Sequence, residues 1–316
     1  MPHRLGRRML VYAGSSVPEL GQKIGDFLGA QLGKVQLQRF SDGEIYVRFL
    51  ESVRGCCVFV IQSLCHPVND NLMELLIMID ALKRASTAEV SAVVPYYGYS
   101  RQDKKAVARE PITAKLVADL MTAAGVKRIL TMDLHAGQIQ GYFDGPVDHL
   151  TAMPILASYF REKRIKDLVV VSPDVGRVKV VKKFADRLNA PFAIIHKRRP
   201  EHNVARVMHI VGEVEGRRAI LIDDMIDTAG TMIEAAEALV EHGAKEIYAC
   251  ATHPILSGPA IERIQNSAIK EVVVTDTIPL SKEKQIPEIK VLSISSLFAQ
   301  AILNVYENRS VSALFE

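Results

Sequence analysis

Short apolar runs rich in β-branched residues alternate with helical patterns of roughly ten to fifteen residues along almost the whole chain, and this alternation restricts the fold more than any other feature. Val58-Phe59-Val60-Ile61 reads as a strand. Asn69 to Arg84 reads as a helix with Asp70 near its start, where Leu72, Leu75, Leu76, Ile79 and Leu82 recur at helical spacing and further Met and Ile residues imply burial nearly all round. Val90 to Pro95 is strand-like, Pro111 to Ala124 a helix closed by Gly125, and Ile129 to Met132 another strand. After Pro146 the theme repeats, with helices around Pro154 to Lys163, Val178 to Leu188 and Thr231 to His242, and strands Leu168 to Val171, Ala193 to Ile195 and Ala219 to Ile222. Strands separated by helices in this way predict an α/β protein whose parallel sheets carry helices on their faces.

A length of 316 residues suggests two domains, at about 150 residues each. An internal echo points the same way. Gly125-Val126-Lys127-Arg128-Ile129 leads to His135, Gly243-Ala244-Lys245-Glu246-Ile247 leads to His253, and the offset is 118 residues in each case. Two copies of one α/β domain are therefore expected, spanning residues 1–148 and 149–316, with a break near Gly145-Pro146 and the last ~15 residues packing back on the first domain.

The chain is 48% hydrophobic and 24% charged, which excludes disordered and low-complexity classes. A formal net charge of +3 advertises neither a nucleic-acid nor a membrane partner. Between Arg161 and Arg206, however, thirteen Lys/Arg stand against five Asp/Glu, a local excess suited to a polyanionic small molecule. No apolar run approaches the roughly 18 residues of a membrane span. Arg4, Arg7 and Arg8 precede Met9-Leu10-Val11-Tyr12 like the basic start of an export signal, but Gly14-Ser15-Ser16 ends the apolar stretch, and a first strand is expected instead. Cys56, Cys57, Cys65 and Cys250 form no C-x-x-C pair and read as buried thiols in a reducing cytoplasm.

The sharpest local signal is Ile220-Leu221-Ile222-Asp223-Asp224-Met225-Ile226-Asp227-Thr228-Ala229-Gly230-Thr231. An apolar strand ends in two carboxylates, a short polar loop follows, and a helix begins at once. Ligands of open parallel sheets sit beyond the carboxyl ends of the strands, and a helix N-terminus offers N–H groups to a phosphate. Carboxylates beside it accept sugar hydroxyls, directly or through a divalent cation. The pattern describes a sugar phosphate, its hydroxyls on Asp223 and Asp224 and its phosphate on Asp227 to Thr231. Thr231-x-x-Glu234 is also a capping box, which by itself would account for Thr231. The segment resembles the signature loop of the phosphoribosyltransferase fold, which alone does not say whether phosphoribosyl pyrophosphate is consumed or made.

Further motifs occur in order: Phe40-Ser41-Asp42-Gly43-Glu44, Tyr99-Ser100-Arg101-Gln102-Asp103-Lys104-Lys105, Met132-Asp133-Leu134-His135-Ala136, Ser172-Pro173-Asp174 and Ile195-His196-Lys197-Arg198-Arg199. With the acidic loop, the series resembles the ribose-phosphate pyrophosphokinase (phosphoribosyl pyrophosphate synthetase) family of the bacterial type, almost from end to end. The resemblance implies two tandem phosphoribosyltransferase-like domains, the first on the ATP side with a lid loop and the second on the ribose 5-phosphate side. It implies transfer of the diphosphoryl group of ATP to the C1 hydroxyl of ribose 5-phosphate, for nucleotide and amino-acid biosynthesis. Such chemistry needs positioning and charge neutralisation more than covalent help.

By the same resemblance Lys197 and Arg199 are the catalytic cations, Arg199 also meeting the ribose phosphate, as do Asp223, Asp224, Asp227, Thr228, Ala229, Gly230 and Thr231. Phe40, Asp42, Gly43, Glu44, Arg101, Gln102, Asp103 and His135 are expected at ATP, with His135 and Asp174 holding Mg²⁺. Carboxylate oxygen suits Mg²⁺ better than imidazole does. Arg101 to Arg109 reads as a lid, with Ala106-Val107-Ala108 less charged than in many members. There is no G-x-x-x-x-G-K-[ST] loop; Gly29 to Lys34 has the wrong spacing. Members of this type form homohexamers activated by phosphate and inhibited by ADP, and Ser52, Arg54, Ser310 and Ser312 resemble parts of that regulatory site. Gly176-Arg177 stands where a second Gly is common, so Arg177 either tightens phosphate binding or points to solvent. A non-catalytic regulatory relative and a base-accepting phosphoribosyltransferase are the alternative functions; intact Lys197, Arg199, His135 and Asp174 argue against the former.

Overall fold

The computed structural model describes residues 7–198 and 207–314, with no side-chain placement for residues 197, 198, 207 and 208. The chain divides into two compact units, the first comprising Met1–Thr151, Thr277–Pro279 and Ser293–Glu316, the second Ala152–Asp276 and Leu280–Leu292.

The first unit begins with β1 (Met9–Ala13), α1 (Pro18–Leu28), β2 (Val35–Arg39), β3 (Ile45–Phe49), β4 (Cys57–Ile61), α2 (Val68–Arg84), β5 (Glu89–Val94), α3 (Thr113–Ala124), β6 (Arg128–Met132) and β7 (Val147–Leu150). Its main sheet is parallel throughout, in the order β1-β4-β5-β6-β7. All five residues of β4 are buried, which is why that run lacks polar alternation. Leu75, Met78, Ile79 and Leu82 of α2 share one buried cluster with Val58, Val60, Val90 and Ala92 of the sheet and with Val117 and Met121 of α3. Burial of each such side chain stabilises the fold by about 1.5–3 kcal/mol. Gly29 closes α1 in the left-handed region at φ 61°, so the stretch that approached a phosphate loop in sequence is a helix stop.

The loop after β1 is closed by side chains of this same unit. Glu74, buried on α2, accepts the Ser15 N–H at 2.7 Å, the Ser15 hydroxyl at 2.7 Å and the Gln62 amide at 2.8 Å. Gln62 in turn accepts from the Ser16 N–H at 3.1 Å and the Ser16 hydroxyl at 2.7 Å. The donors that lead into α1 are thus occupied from within.

β2 and β3 form a separate antiparallel hairpin, Arg39 facing Ile45. Gly43 at its tip has φ +95°, and the Phe40 N–H donates to the Glu44 carbonyl at 2.8 Å, closing the turn.

The second unit comprises α4 (Met153–Glu162), β8 (Leu168–Ser172), α5 (Val178–Leu188), β9 (Phe192–Arg198), β10 (Val207–Val211), β11 (Arg218–Ile226), α6 (Gly230–Glu241), β12 (Glu246–Pro254), α7 (Ala260–Gln265), β13 (Ile269–Thr275) and β14 (Ile289–Leu292). Its strands run β10-β9-β8-β11-β12-β13-β14, parallel except for β10 against β9. The winding leaves β8 in one direction toward β9 and continues from β11 in the other toward β12. A topological switch point therefore lies between the carboxyl ends of β8 and β11. Phe160 of α4 meets Phe184 of α5 and Tyr248 of β12 edge-to-face, with centroids 6.4 and 6.2 Å apart. The chain then returns to the first unit, where α8 (Ser295–Tyr306) packs on α1 and the Tyr306 hydroxyl donates to the Arg7 carbonyl at 2.7 Å.

The internal echo has a structural counterpart. Gly125 after α3 and Gly243 after α6 both have positive φ, and each leads into a strand, β6 and β12 respectively.

Candidate active site

Asp223 and Asp224 lie near the end of β11, beside the switch point of the second unit. Asp224 is almost fully buried, its side chain 3% exposed. Arg177 reaches them from the turn that joins β8 to α5, its Nη1 lying 3.0 Å from Asp223 Oδ1 and 2.8 Å from Asp224 Oδ1. Arg177 therefore does not point to solvent, its Nη1 being engaged by both carboxylates. Burial drives the Asp223 carboxyl up to about 7, against the lowering influence of Arg177 and with the neighbouring Asp224 adding to the rise. The site therefore holds two carboxylates at close quarters, bridged by one guanidinium that only partly offsets the rise at Asp223.

After β11 the chain turns through Asp227, Thr228 and Ala229 into α6. Ala229 is in the left-handed region at φ 61°, and the helix starts at Gly230. Thr231 thus falls inside the first turn and no side chain caps α6, so the capping-box explanation of Thr231 is set aside. The first-turn N–H groups of α6 carry the positive end of the helix dipole. The segment after β12 and helix α7 hold the turn in shape: Ser257 donates its hydroxyl to Asp227 Oδ1, the Ser257 N–H donates to the Asp227 carbonyl at 3.0 Å, and Arg263 Nη1 of α7 donates to the Thr228 carbonyl at 2.8 Å.

Asp174 lies on the same turn as Arg177. Its Oδ1 accepts the Gly176 N–H at 2.7 Å and its carbonyl accepts the Ser172 hydroxyl at 2.6 Å, fixing a half-buried carboxylate just beyond β8. Asp174, Asp223 and Asp224 are thus all at the carboxyl end of the second sheet. Lys197 is a backbone position on β9 opposite Met208 of β10, and Arg199 lies outside the described residues.

The residues expected at ATP belong to the first unit. A cleft of about 440 Å³ is lined by His66, Asn69, Asp70, Tyr99, Arg101 and Gln102, among others. Tyr99 donates its hydroxyl to Asn69 Oδ1, and Gln102 Oε1 accepts the Thr113 hydroxyl at 2.5 Å. Arg39, the last residue of β2 before the hairpin turn, pairs with Asp70 at 3.1 Å and so ties the Phe40–Glu44 turn to the same helix start. Phe40 is 55% exposed at that turn, and Asp42 Oδ1 accepts the Glu44 N–H at 3.0 Å. Asp103 is not with them at the surface. It is buried, and its carboxylate accepts the Gln138 amide at 2.6 Å. The stretch from Arg101 to Arg109 forms turns, and Glu110 accepts the N–H groups of Ala106 and Val107 at 2.8 and 3.1 Å.

His135 is exposed on the loop after β6. His149 supports that loop by accepting the Leu134 N–H on Nε2 at 2.8 Å. This requires the neutral ring with its proton on Nδ1, and burial favours that form by pushing the His149 pKa down. Ser310 and Ser312 bring their hydroxyls within 2.7 Å, whereas Ser52 and Arg54 are exposed and no hydrogen bond or ion pair joins them to that serine pair. All four cysteines are buried and none forms a disulfide, and among the described residues no helix is long and apolar enough to cross a membrane. No cluster of three or more His, Cys, Asp or Glu suited to a metal occurs among the described residues.

Sequence reasoning did not place Asn69 or Tyr99 in a cleft and did not find the contact of Arg177 with the acidic pair. The Asp42-Gly43 dipeptide between alternating runs was a readable hairpin signal; the Arg177 contact spans 46 residues and has none.

A doubly wound sheet with an acidic strand end, a short loop and an uncapped helix start at its switch point defines a phosphoribosyltransferase-type α/β protein. Residues 9–125 match the family model described as the N-terminal domain of ribose phosphate pyrophosphokinase, and residues 201–316 match the phosphoribosyl synthetase-associated domain. The chain is 64% identical over 313 residues to the ribose-phosphate pyrophosphokinase of Caldanaerobacter subterraneus subsp. tengcongensis, covering 99% of each. It is 58% identical over 309 residues to that of Bacillus subtilis, covering 98% of each. The crystal structure of phosphoribosylpyrophosphate synthetase from Mycobacterium smegmatis superposes with a TM-score of 0.91 at 48% identity, covering 96% of this chain and 100% of that one. The chain belongs to the ribose-phosphate pyrophosphokinase family.

Proposed function

We propose that this chain transfers the diphosphoryl group of ATP to the C1 hydroxyl of ribose 5-phosphate, releasing AMP and 5-phosphoribosyl 1-pyrophosphate. The observation that carries the reading is the pair Asp223–Asp224 beside the uncapped start of α6 at the switch point. Carboxylates accept the vicinal hydroxyls of the pentose, and backbone N–H groups of the Asp227–Thr231 turn receive its phosphate.

Phe40 offers a ring face to adenine, with Asp42, Gly43 and Glu44 at its edge, and Arg101 and Gln102 reach the triphosphate from their cleft. Buried Asp103 serves by holding the cleft's loop rather than by touching nucleotide. Lys197 and Arg199 neutralise charge on the migrating group, where electrostatic stabilisation acts chiefly in the transition state. Asp174 fits a hard cation, because its carboxylate is fixed by the Gly176 N–H and oxygen donors suit Mg²⁺. Asp174, with His135 as the softer donor, would hold that ion, which when bound supplies charge neutralisation at the phosphates. By kinship we further assign a homohexamer with phosphate as activator and ADP as inhibitor, acting through Ser52, Arg54, Ser310 and Ser312. Four reduced thiols support a cytoplasmic setting.

Purified chain given Mg²⁺, ATP and ribose 5-phosphate is expected to form AMP in step with the sugar diphosphate. Release of ADP, or absence of turnover, refutes the reading.

A further inference from the structure

The turn between β11 and α6 contains one residue held against its own backbone preference. Ala229 is in the left-handed region at φ 61°, which a non-glycine residue keeps only when its surroundings impose it. The constraint comes from α7. Arg263 Nη1 donates to the Thr228 carbonyl at 2.8 Å, and the same nitrogen lies 3.3 Å from the point where a Cβ at Gly230 would stand, so the guanidinium is laid against the turn. Ala260 and Ile264 bury α7 in the apolar cluster of the second unit, which fixes the helix that delivers Arg263. The Thr228 carbonyl and the Ala229 N–H are opposite ends of one planar peptide. Whatever holds the first therefore aims the second. A flip of that peptide would reverse the sign of φ at Ala229 and relieve the strain, but it would exchange the positions of the N–H and the carbonyl oxygen.

We propose that Arg263 is a positioning residue of the phosphate subsite, clasping the Thr228 carbonyl so that the Ala229 N–H stays aimed at the 5-phosphate of the pentose. The inference rests on the assignment of the Asp227–Thr231 turn to that phosphate. Two effects act in the same direction. The hydrogen bond opposes the flip that Ala229 by itself would favour, and a flipped turn presents a carbonyl oxygen to an anion. A guanidinium on the carbonyl end also polarises the peptide, which makes the N–H at its other end a stronger donor. Ser257 fixes the residue before, through its bonds to the Asp227 carboxylate and carbonyl, and the next peptide falls to Arg263. Arg263 touches the turn rather than the reacting atoms, and so acts by positioning.

The test is steady-state kinetics of the full chain with Mg²⁺ and saturating ATP, varying ribose 5-phosphate. Arg263→Met keeps the apolar stem and removes the donors, and is expected to raise the KM for ribose 5-phosphate about tenfold while leaving the KM for ATP unchanged. Arg263→Lys is expected to recover part of the loss, because an ammonium still donates to a carbonyl. Arg263→Gln carries the test if the Met variant does not fold, as thermal unfolding followed by circular dichroism would report. The distinguishing measurement is a double-mutant cycle with Ala229→Gly. Glycine occupies the left-handed region without strain, so in that background Arg263→Met should raise the KM only about two- to threefold. An equal rise with and without Ala229→Gly overturns the proposal, as does a matching rise in the KM for ATP. Asp224→Asn separates the two levels of the argument. A KM for ribose 5-phosphate that rises in Asp224→Asn but not in Arg263→Met or Arg263→Gln overturns the role of Arg263 and leaves the pentose site in place. A KM unmoved in Asp224→Asn as well overturns the site assignment itself.

Discussion

Replacing Glu74 with Ala tests how the loop after β1 is held. The carboxylate is 4% exposed and accepts three hydrogen bonds, from the Ser15 N–H, the Ser15 hydroxyl and the Gln62 amide, at 2.7, 2.7 and 2.8 Å. Truncation releases the two Ser15 donors on an exposed residue and removes one of two acceptors of the buried Gln62 amide, which also donates to the Asn71 carbonyl at 3.3 Å, and a buried orphan costs about 1–3 kcal/mol. Water entering the vacated space would satisfy some of them and reduce the sum. The expected net loss is about 2–3 kcal/mol, most of it at Gln62. The chain contains no Trp, so urea unfolding is best followed by far-UV circular dichroism. A lowered midpoint with an unchanged slope is expected, since the loss is one of stability rather than of compactness. A loss below about 1 kcal/mol would refute the reasoning and show that the network is solvated in solution.

Phe160→Ala removes the ring that meets Phe184 and Tyr248, and is expected to destabilise the second unit by about 3–5 kcal/mol, measured by the same unfolding assay. Asp223 has a folded-state pKa raised to about 7, so the KM for ribose 5-phosphate should rise as pH falls below neutrality and the acceptor takes up a proton. The sign for stability is opposite. A raised carboxyl favours the fold at low pH and loses that contribution as pH rises through 7, so the stability gain of Asp223→Asn should grow between pH 5 and pH 8. Lys197→Ala should lower kcat by at least about 100-fold with ATP binding nearly unchanged, as rapid-quench kinetics and equilibrium nucleotide binding would report.

Much of the architecture was legible because period and burial coincide. β4 and β11 read as strands since their apolar runs are buried on both faces, and α2 read as a helix from its Leu spacing. The acidic end of β11 was legible because sequence-adjacent residues form it. The hairpin β2–β3 passed unread, although Val35, Leu37 and the Asp42-Gly43 turn carry a two-residue period and a turn signal. β10 and β14 passed unread as well, each a short strand at an edge of the second sheet where partners rather than propensity decide pairing. Asp103 was expected at ATP with its neighbours, and nothing local signalled that Gln138, 35 residues on, would donate to its buried carboxylate. Arg177 could not be oriented from sequence for the same reason.

The return of residues 293–316 to the first unit has a consequence for synthesis of the chain. The second unit has all its strands once Leu292 has left the ribosome, whereas the first must wait for the final helix that lies against α1. The portion made earliest is thus completed last. An expression fragment that stops near Thr151 would leave the α1 face bare, and a short deletion at the carboxyl terminus would injure the amino-terminal half of the molecule.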